Sequence, residues 1–139
     1  MEYNLNRFII AQERDFYKAL SEIKQERKCS HWMWYIFPEL KGLGYSATSE
    51  FYGISDLEEA KEYLSNDYLR GNLLKICNAL LYTSTNNIEE ILEYPDNLKL
   101  KSSMTLFDYI SEKDNIYSLV LDKFYNGEKD KLTLGLIEK

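Results

Sequence analysis

The chain has 139 residues, 45% apolar and 29% charged, with a formal net charge of −6. That length and balance describe one soluble globular domain whose core needs no staples, and the acidity counts against broad attachment to a phosphate backbone. No apolar run approaches the roughly 20 residues of a membrane span, and the N-terminal MEYNLNRFIIAQERD lacks the long apolar stretch of a secretory signal.

The two cysteines, Cys29 and Cys77, lie far apart and form no metal-spaced pair. They read as reduced thiols of a cytosolic protein, with Cys77 in the core, although a disulfide between them stays open. Aromatics make up 14% of the chain. Rings therefore build much of the core, and many tyrosine hydroxyls must find partners or water.

A first helix is expected from a cap at Asn4 or Asn6 to about Arg27. Phe8, Ala11, Phe16 or Tyr17, Leu20 and Ile23 recur at three and four residues, giving one buried face; Glu13, Arg14, Glu22, Lys24 and Glu26 are placed toward water. Ser30 is the candidate N-cap of a short helix from His31 to Phe37, stopped by Pro38. Leu40 to Ser46 reads as a turn, where Gly42 and Gly44 supply positive φ or close approach. Ser46 to Tyr52 reads as a helical turn ending at Gly53.

Ser55 or Asp56 caps LEEAKEYL, Ser55 standing at capping-box spacing from Glu58. Asn66 or Asp67 caps the next helix, which runs to about Tyr82. Its Leu69, Leu73, Ile76, Cys77 and Leu80 mark it as the central, most buried element. A polar loop, TSTNN, leads to a helix IEEILEY capped by Asn87, and Pro95 and Asp96 break the pattern. In NLKLKSSMTLFDYI the expectation is a turn of helix, a break or cap at Ser102 or Ser103, and helix again through Met104, Phe107 and Ile110. Asp114 or Asn115 caps a helix closed by Gly127, and Leu132 to Ile137 forms a last short helix. With no β-branched runs between turns, the fold class is all-α: one compact domain over residues 1–139, of about seven to nine mostly short helices.

Rare residue types crowd into Lys28 to Ser46, KCSHWMWYIFPELKGLGYS, which holds the single histidine and both tryptophans. His31 is the candidate catalytic residue, either as a proton carrier near neutrality or as an anion donor at a helix start. A histidine bonded to a backbone carbonyl, with tryptophans as core anchors, would write the same letters. Lys28, Ser30, Trp32 and Trp34 are candidate ligand contacts through charge, hydrogen bonding and stacking, with at least one indole in the core. A second cluster holds Lys99, Lys101, Ser102 and Ser103, followed by Thr105. Cations and hydroxyls at a helix start grip a phosphate or carboxylate; a solvated face with a capping serine is the plainer alternative. One histidine excludes a two-histidine metal site, no phosphate loop or nucleophile elbow occurs, and no cofactor is implied.

At these two clusters the sequence resembles a bacterial family known as DUF1810, a domain of unknown function, some members of which are labelled calpastatin. Ser30 through Pro38, Gly42-Leu43-Gly44 with Ser46, and Leu98 through Phe107 carry the resemblance, together with Ala11-Gln12. It extends over nearly the whole chain and implies a mostly helical single domain, without implying a reaction. The calpastatin label belongs to long disordered repeats, which this aromatic-rich sequence does not look like. Two departures stand out: Glu39, where the family usually has glutamine, and Leu73, where many members carry arginine.

The expected function is a pocket for an anionic, nucleotide-like small molecule, formed where the SHWMW and KLKSSMT segments meet. The alternative is a non-catalytic interaction module that uses exposed aromatics, including a homodimer. Nucleic-acid and membrane partners are disfavoured, and whether the protein is an enzyme is left open.

Overall fold

Apolar spacing sets the first helix, but two polar residues share its buried stripe. In a computed structural model, which describes residues 3–139, α1 spans Asn6–Lys24 and buries Phe8, Ala11, Gln12, Phe16, Ala19, Glu22 and Ile23. Tyr17 points outward, so Phe16 is the core aromatic. Gln12 is satisfied on both sides of its amide. Its Nε2 donates to the Tyr35 carbonyl at 2.8 Å and to Tyr63 Oη at 2.9 Å, and its Oε1 accepts from Asn72 at 3.0 Å. A buried amide is tolerated only when its hydrogen bonds are met, and here they join four helices.

The remaining helices are α2 (Met33–Ile36), α3 (Ala47–Tyr52), α4 (Leu57–Ser65), α5 (Asp67–Leu81), α6 (Asp96–Tyr109), α7 (Ile116–Tyr125) and α8 (Lys131–Ile137). No strand forms among the described residues; a single parallel bridge joins Leu40 to Ile54. Helix α1 packs on α5 and α2, α5 on α4 and α7, and α6 on α7 and α8. One continuous core results, and all-α is the fold class. Asp56, Asn66 and Asn115 cap their helices through side-chain oxygens, as their sequence positions predict, and Ser46 does the same for α3 just outside it.

Five local expectations are corrected. Ser30 caps nothing: α2 begins at Met33 and its N-cap is Trp32. Glu22 does not face water; it is buried. Ser55 forms no capping box with Glu58; Glu59 reaches back instead, accepting from the Ser55 N–H at 2.8 Å. IEEILEY shrinks to one 3-10 turn, Ile88–Glu90. Finally, α6 is unbroken through Ser102 and Ser103 and buries eight of its fourteen residues, more than α5 does. Its hydroxyls fit a helix interior because they bond back one turn: Ser102 Oγ donates to the Leu98 carbonyl at 3.1 Å and Thr105 Oγ1 to that of Lys101 at 2.8 Å.

Candidate functional site

A carboxylate organises the first half of the crowded segment. Glu22 Oε1 accepts the backbone N–H of Cys29 at 2.7 Å and of Ser30 at 3.0 Å, and the indole N–H of Trp32 at 2.9 Å; Oε2 accepts the Ser30 hydroxyl at 2.7 Å. Burial alone raises a carboxyl's pKa, but these four donors outweigh it and hold Glu22 at about 2. Ser30 thus gives its hydroxyl proton to Glu22, and Trp32 is a core anchor with 1% of its surface exposed.

His31 lies just outside this clamp. Its side chain is exposed and makes no hydrogen bond among the described residues. It shares a shallow depression with Arg14, Asp15, Lys18, Cys29 and Tyr35. Tyr35 donates to Asp15, and Arg14 bonds both, at 2.9 Å to Asp15 and 3.3 Å to Tyr35 Oη. Burial, with Asp15 adding to it, pushes the Tyr35 phenol up to about 12.

The second half points elsewhere. Lys28 Nζ lies 2.9 Å from Asp96 Oδ2, and Lys99 Nζ lies 3.7 Å from Oδ1 of the same carboxylate. The Lys99 ammonium also stands 3.3 Å from the centre of the Trp34 ring, a cation–π contact. The two sequence clusters therefore meet, through Asp96 and through Lys99 on Trp34. Both lysines enter that contact already paired within the chain.

Beside it opens a pocket of about 360 Å³, walled by Trp34 and Glu39, the 43–49 segment, the first turns of α6, and Asp130 with Leu132 at the start of α8. Glu39 is half-buried there. Burial raises its pKa first, Asp130 raises it further, and Lys99 and the Ser102 hydroxyl ease it back, leaving it at about 7. Asp130 Oδ2 accepts the Thr133 N–H at 2.9 Å and the Thr133 hydroxyl at 2.6 Å, and at 3.2 Å it competes with the Leu98 carbonyl for the one Ser102 hydroxyl proton. Burial lowers the pKa of Lys99, against the pull of Asp96 and Glu39. A carboxyl that changes charge near neutrality, beside an anchored carboxylate and an ammonium, can carry a proton or pair with an incoming cation.

Of the nine predicted site residues, Trp34, Lys99 and Ser102 line this pocket, and Lys28 supports it through Asp96. Ser30, His31 and Trp32 belong to the other depression. Lys101 pairs with Glu128 near the Tyr125 ring. Ser103 is fully buried and offers no surface to a ligand. Glu39 and Asp130 go unpredicted as site residues; Glu39 sits inside the crowded stretch, whereas Asp130 reads as an ordinary loop acid. A larger hollow of about 500 Å³ lies between α1 and α5, but its lining, which includes Leu20, Lys24, Lys75 and Tyr82, holds no carboxyl. Among the described residues no group of three or more His, Cys, Asp or Glu is placed to hold a metal ion, and no helix is long and apolar enough to cross a membrane.

A family model described as a protein of unknown function, DUF1810, matches residues 2–137. Among solved structures, the chain is similar to the conserved hypothetical protein Rv1873 from Mycobacterium tuberculosis. The identity is 39%, the TM-score is 0.95, and the match covers 99% of this chain and 98% of that one. No curated protein matches the chain.

Proposed function

The chain belongs to the DUF1810 family, and we propose that it is a small-molecule-binding domain whose site is the pocket between Trp34–Glu39 and α6. The observation that carries this reading is Glu39, a half-buried carboxyl poised near neutrality beside Ser102 and Asp130 in an open pocket. The lysines expected to attract an anion are each paired: Lys28 and Lys99 with Asp96, Lys101 with Glu128. The acidic floor is therefore the better anchor, and it suits a hydrogen-bond-donating or cationic head. Of the two departures from the family pattern, Glu39 lines this pocket, whereas Leu73 is buried in α5. The specificity of this member accordingly rests on Glu39.

A ligand screen read by the two indole N–H signals in NMR tests the proposal. Trp32 is locked on Glu22 and serves as an internal control; Trp34 is the reporter. Ligands of this pocket are expected to move Trp34 and leave Trp32 in place. Glu39→Gln is expected to weaken binding, read from Trp34, about tenfold, the effect of roughly 1.4 kcal/mol. Ligands that move only the His31 depression would overturn the assignment.

The same variant has a stability signature. The folded pKa of Glu39 is raised from 4.5 to about 7, so its protonated form stabilises the fold at low pH and that contribution is lost as pH rises through 7. Glu39→Gln is therefore expected to melt like the parent at pH 4, within roughly a degree, and increasingly above the parent from there to pH 8.

A further inference from the structure

The pocket does not end at Tyr45. Leu43, Tyr45 and Leu132 also line a second hollow of about 380 Å³, which runs from Lys131 along α8 past Gly135 and Leu136 to Lys139. The two hollows form one trough with a chemical gradient. Glu39 and Asp130 stand at one end, an apolar stretch with Tyr45 95% and Leu132 71% exposed leads away from them, Lys131 sits beside Asp130 at the start of α8, and Lys139 stands at the far end.

We propose that the trough binds an amphipathic monoamine, its ammonium between Glu39 and Asp130 and its apolar body along Tyr45, Leu43 and Leu132. This rests on the pocket reading above. The charged groups that line the ammonium position are Glu39 and Asp130 against Lys99, while Lys28 and Asp96 pair with each other outside that lining. With Glu39 ionised, two carboxylates line the site against one ammonium, and the lining carries a net negative charge. Lys99 is held off the incoming amine by Asp96 and by the Trp34 ring. At the far end, Lys139 repels a second cation, so the trough discriminates against a diamine of similar length. Repulsion between like charges is a common device of specificity.

Four probes that share a six-carbon chain separate the possibilities: hexylamine, hexanol, hexanoate and hexamethylenediamine, each titrated while the Trp34 and Trp32 signals are followed. Hexylamine is expected to move Trp34 and to bind at least tenfold more tightly than the other three. Its affinity should rise about tenfold between pH 6 and pH 8, because only the fraction of protein with Glu39 ionised is competent. Glu39→Gln should remove that pH dependence. Gly135→Leu should cost about tenfold in affinity without disturbing the fold, since a Cβ at Gly135 meets nothing within 4 Å. If hexanoate or the diamine moves Trp34 with an affinity equal to that of hexylamine, the amine assignment is overturned and the pocket stands. If hexylamine shows no pH dependence, the role given to Glu39 fails. If no probe moves Trp34, the amine assignment falls; if the broader ligand screen also leaves Trp34 unmoved, the pocket falls with it.

Discussion

Glu22→Ala is expected to cost about 3 kcal/mol or more of stability and to lower the melting temperature by roughly 10 °C. The variant strands four donors in a partly buried site: two backbone N–H groups, the Ser30 hydroxyl and the Trp32 indole. Acid titration gives an independent check. The folded pKa is lowered from 4.5 to about 2. Its contribution is therefore fully present above pH 4.5 and is lost as pH falls toward 2, a span worth roughly 3 kcal/mol. The alanine variant should show a flatter stability profile across that window. An unchanged melting temperature would return Ser30 and Trp32 to the list of free, ligand-ready groups.

Arg7→Leu is the second large effect. Arg7 Nη1 lies 2.8 Å from Glu59 Oε2, and both side chains are less than a tenth exposed, at 8% and 3%. The same guanidinium donates to the Phe51 carbonyl at 2.8 Å and to that of Gly53 at 3.1 Å. Leucine removes these bonds and a fourth, to the Asn4 carbonyl, and leaves a buried carboxylate whose remaining donors are the Ser55 N–H and hydroxyl. Breaking one side of such a pair costs about 3–5 kcal/mol, more than the pair itself is worth. The double variant Arg7→Leu/Glu59→Leu should therefore recover part of the loss in chemical denaturation. A double variant as unstable as the sum of the singles would show that the two residues are uncoupled.

What the sequence reveals here is mostly local. Asp56, Asn66 and Asn115 are legible as caps because the oxygen and the N–H it accepts lie within three residues. Ser102 is not, since the same hydroxyl either caps a helix or bonds back to a carbonyl one turn earlier. Only the continuity of α6 from Pro95 decides which, and Pro95 starts that helix rather than breaking a pattern. Glu22 looks like a surface acid because its partners lie seven to ten residues away in irregular backbone. The crowding of rare residues around His31 is a real signal whose source is largely structural: Trp32 is a core anchor, whereas Trp34, Glu39 and the stretch from Leu43 to Ser46 line the pocket. The pairing of Glu39 with Ser102 and Asp130 depends on how α6 and α8 meet, which no short-range pattern encodes.

The bridge between Leu40 and Ile54 has a consequence for access to the trough. Two backbone bonds, Lys41 N–H to Ile54 at 2.8 Å and Ile54 N–H to Glu39 at 2.9 Å, close the neck of a loop that contains the wall residues Leu43 to Ser49. A Cβ at Gly53 would come within 2.8 Å of Lys41, so only glycine lets the neck close this tightly. Such a loop is a unit of local unfolding: breaking its neck releases one wall of the pocket while α5 and α6 stay folded. Native-state hydrogen exchange should then find the Lys41 and Ile54 amides opening together, faster than the amides of Leu73 to Leu80 in α5. The door to the site would have its own free energy, set below that of the fold and separable from it.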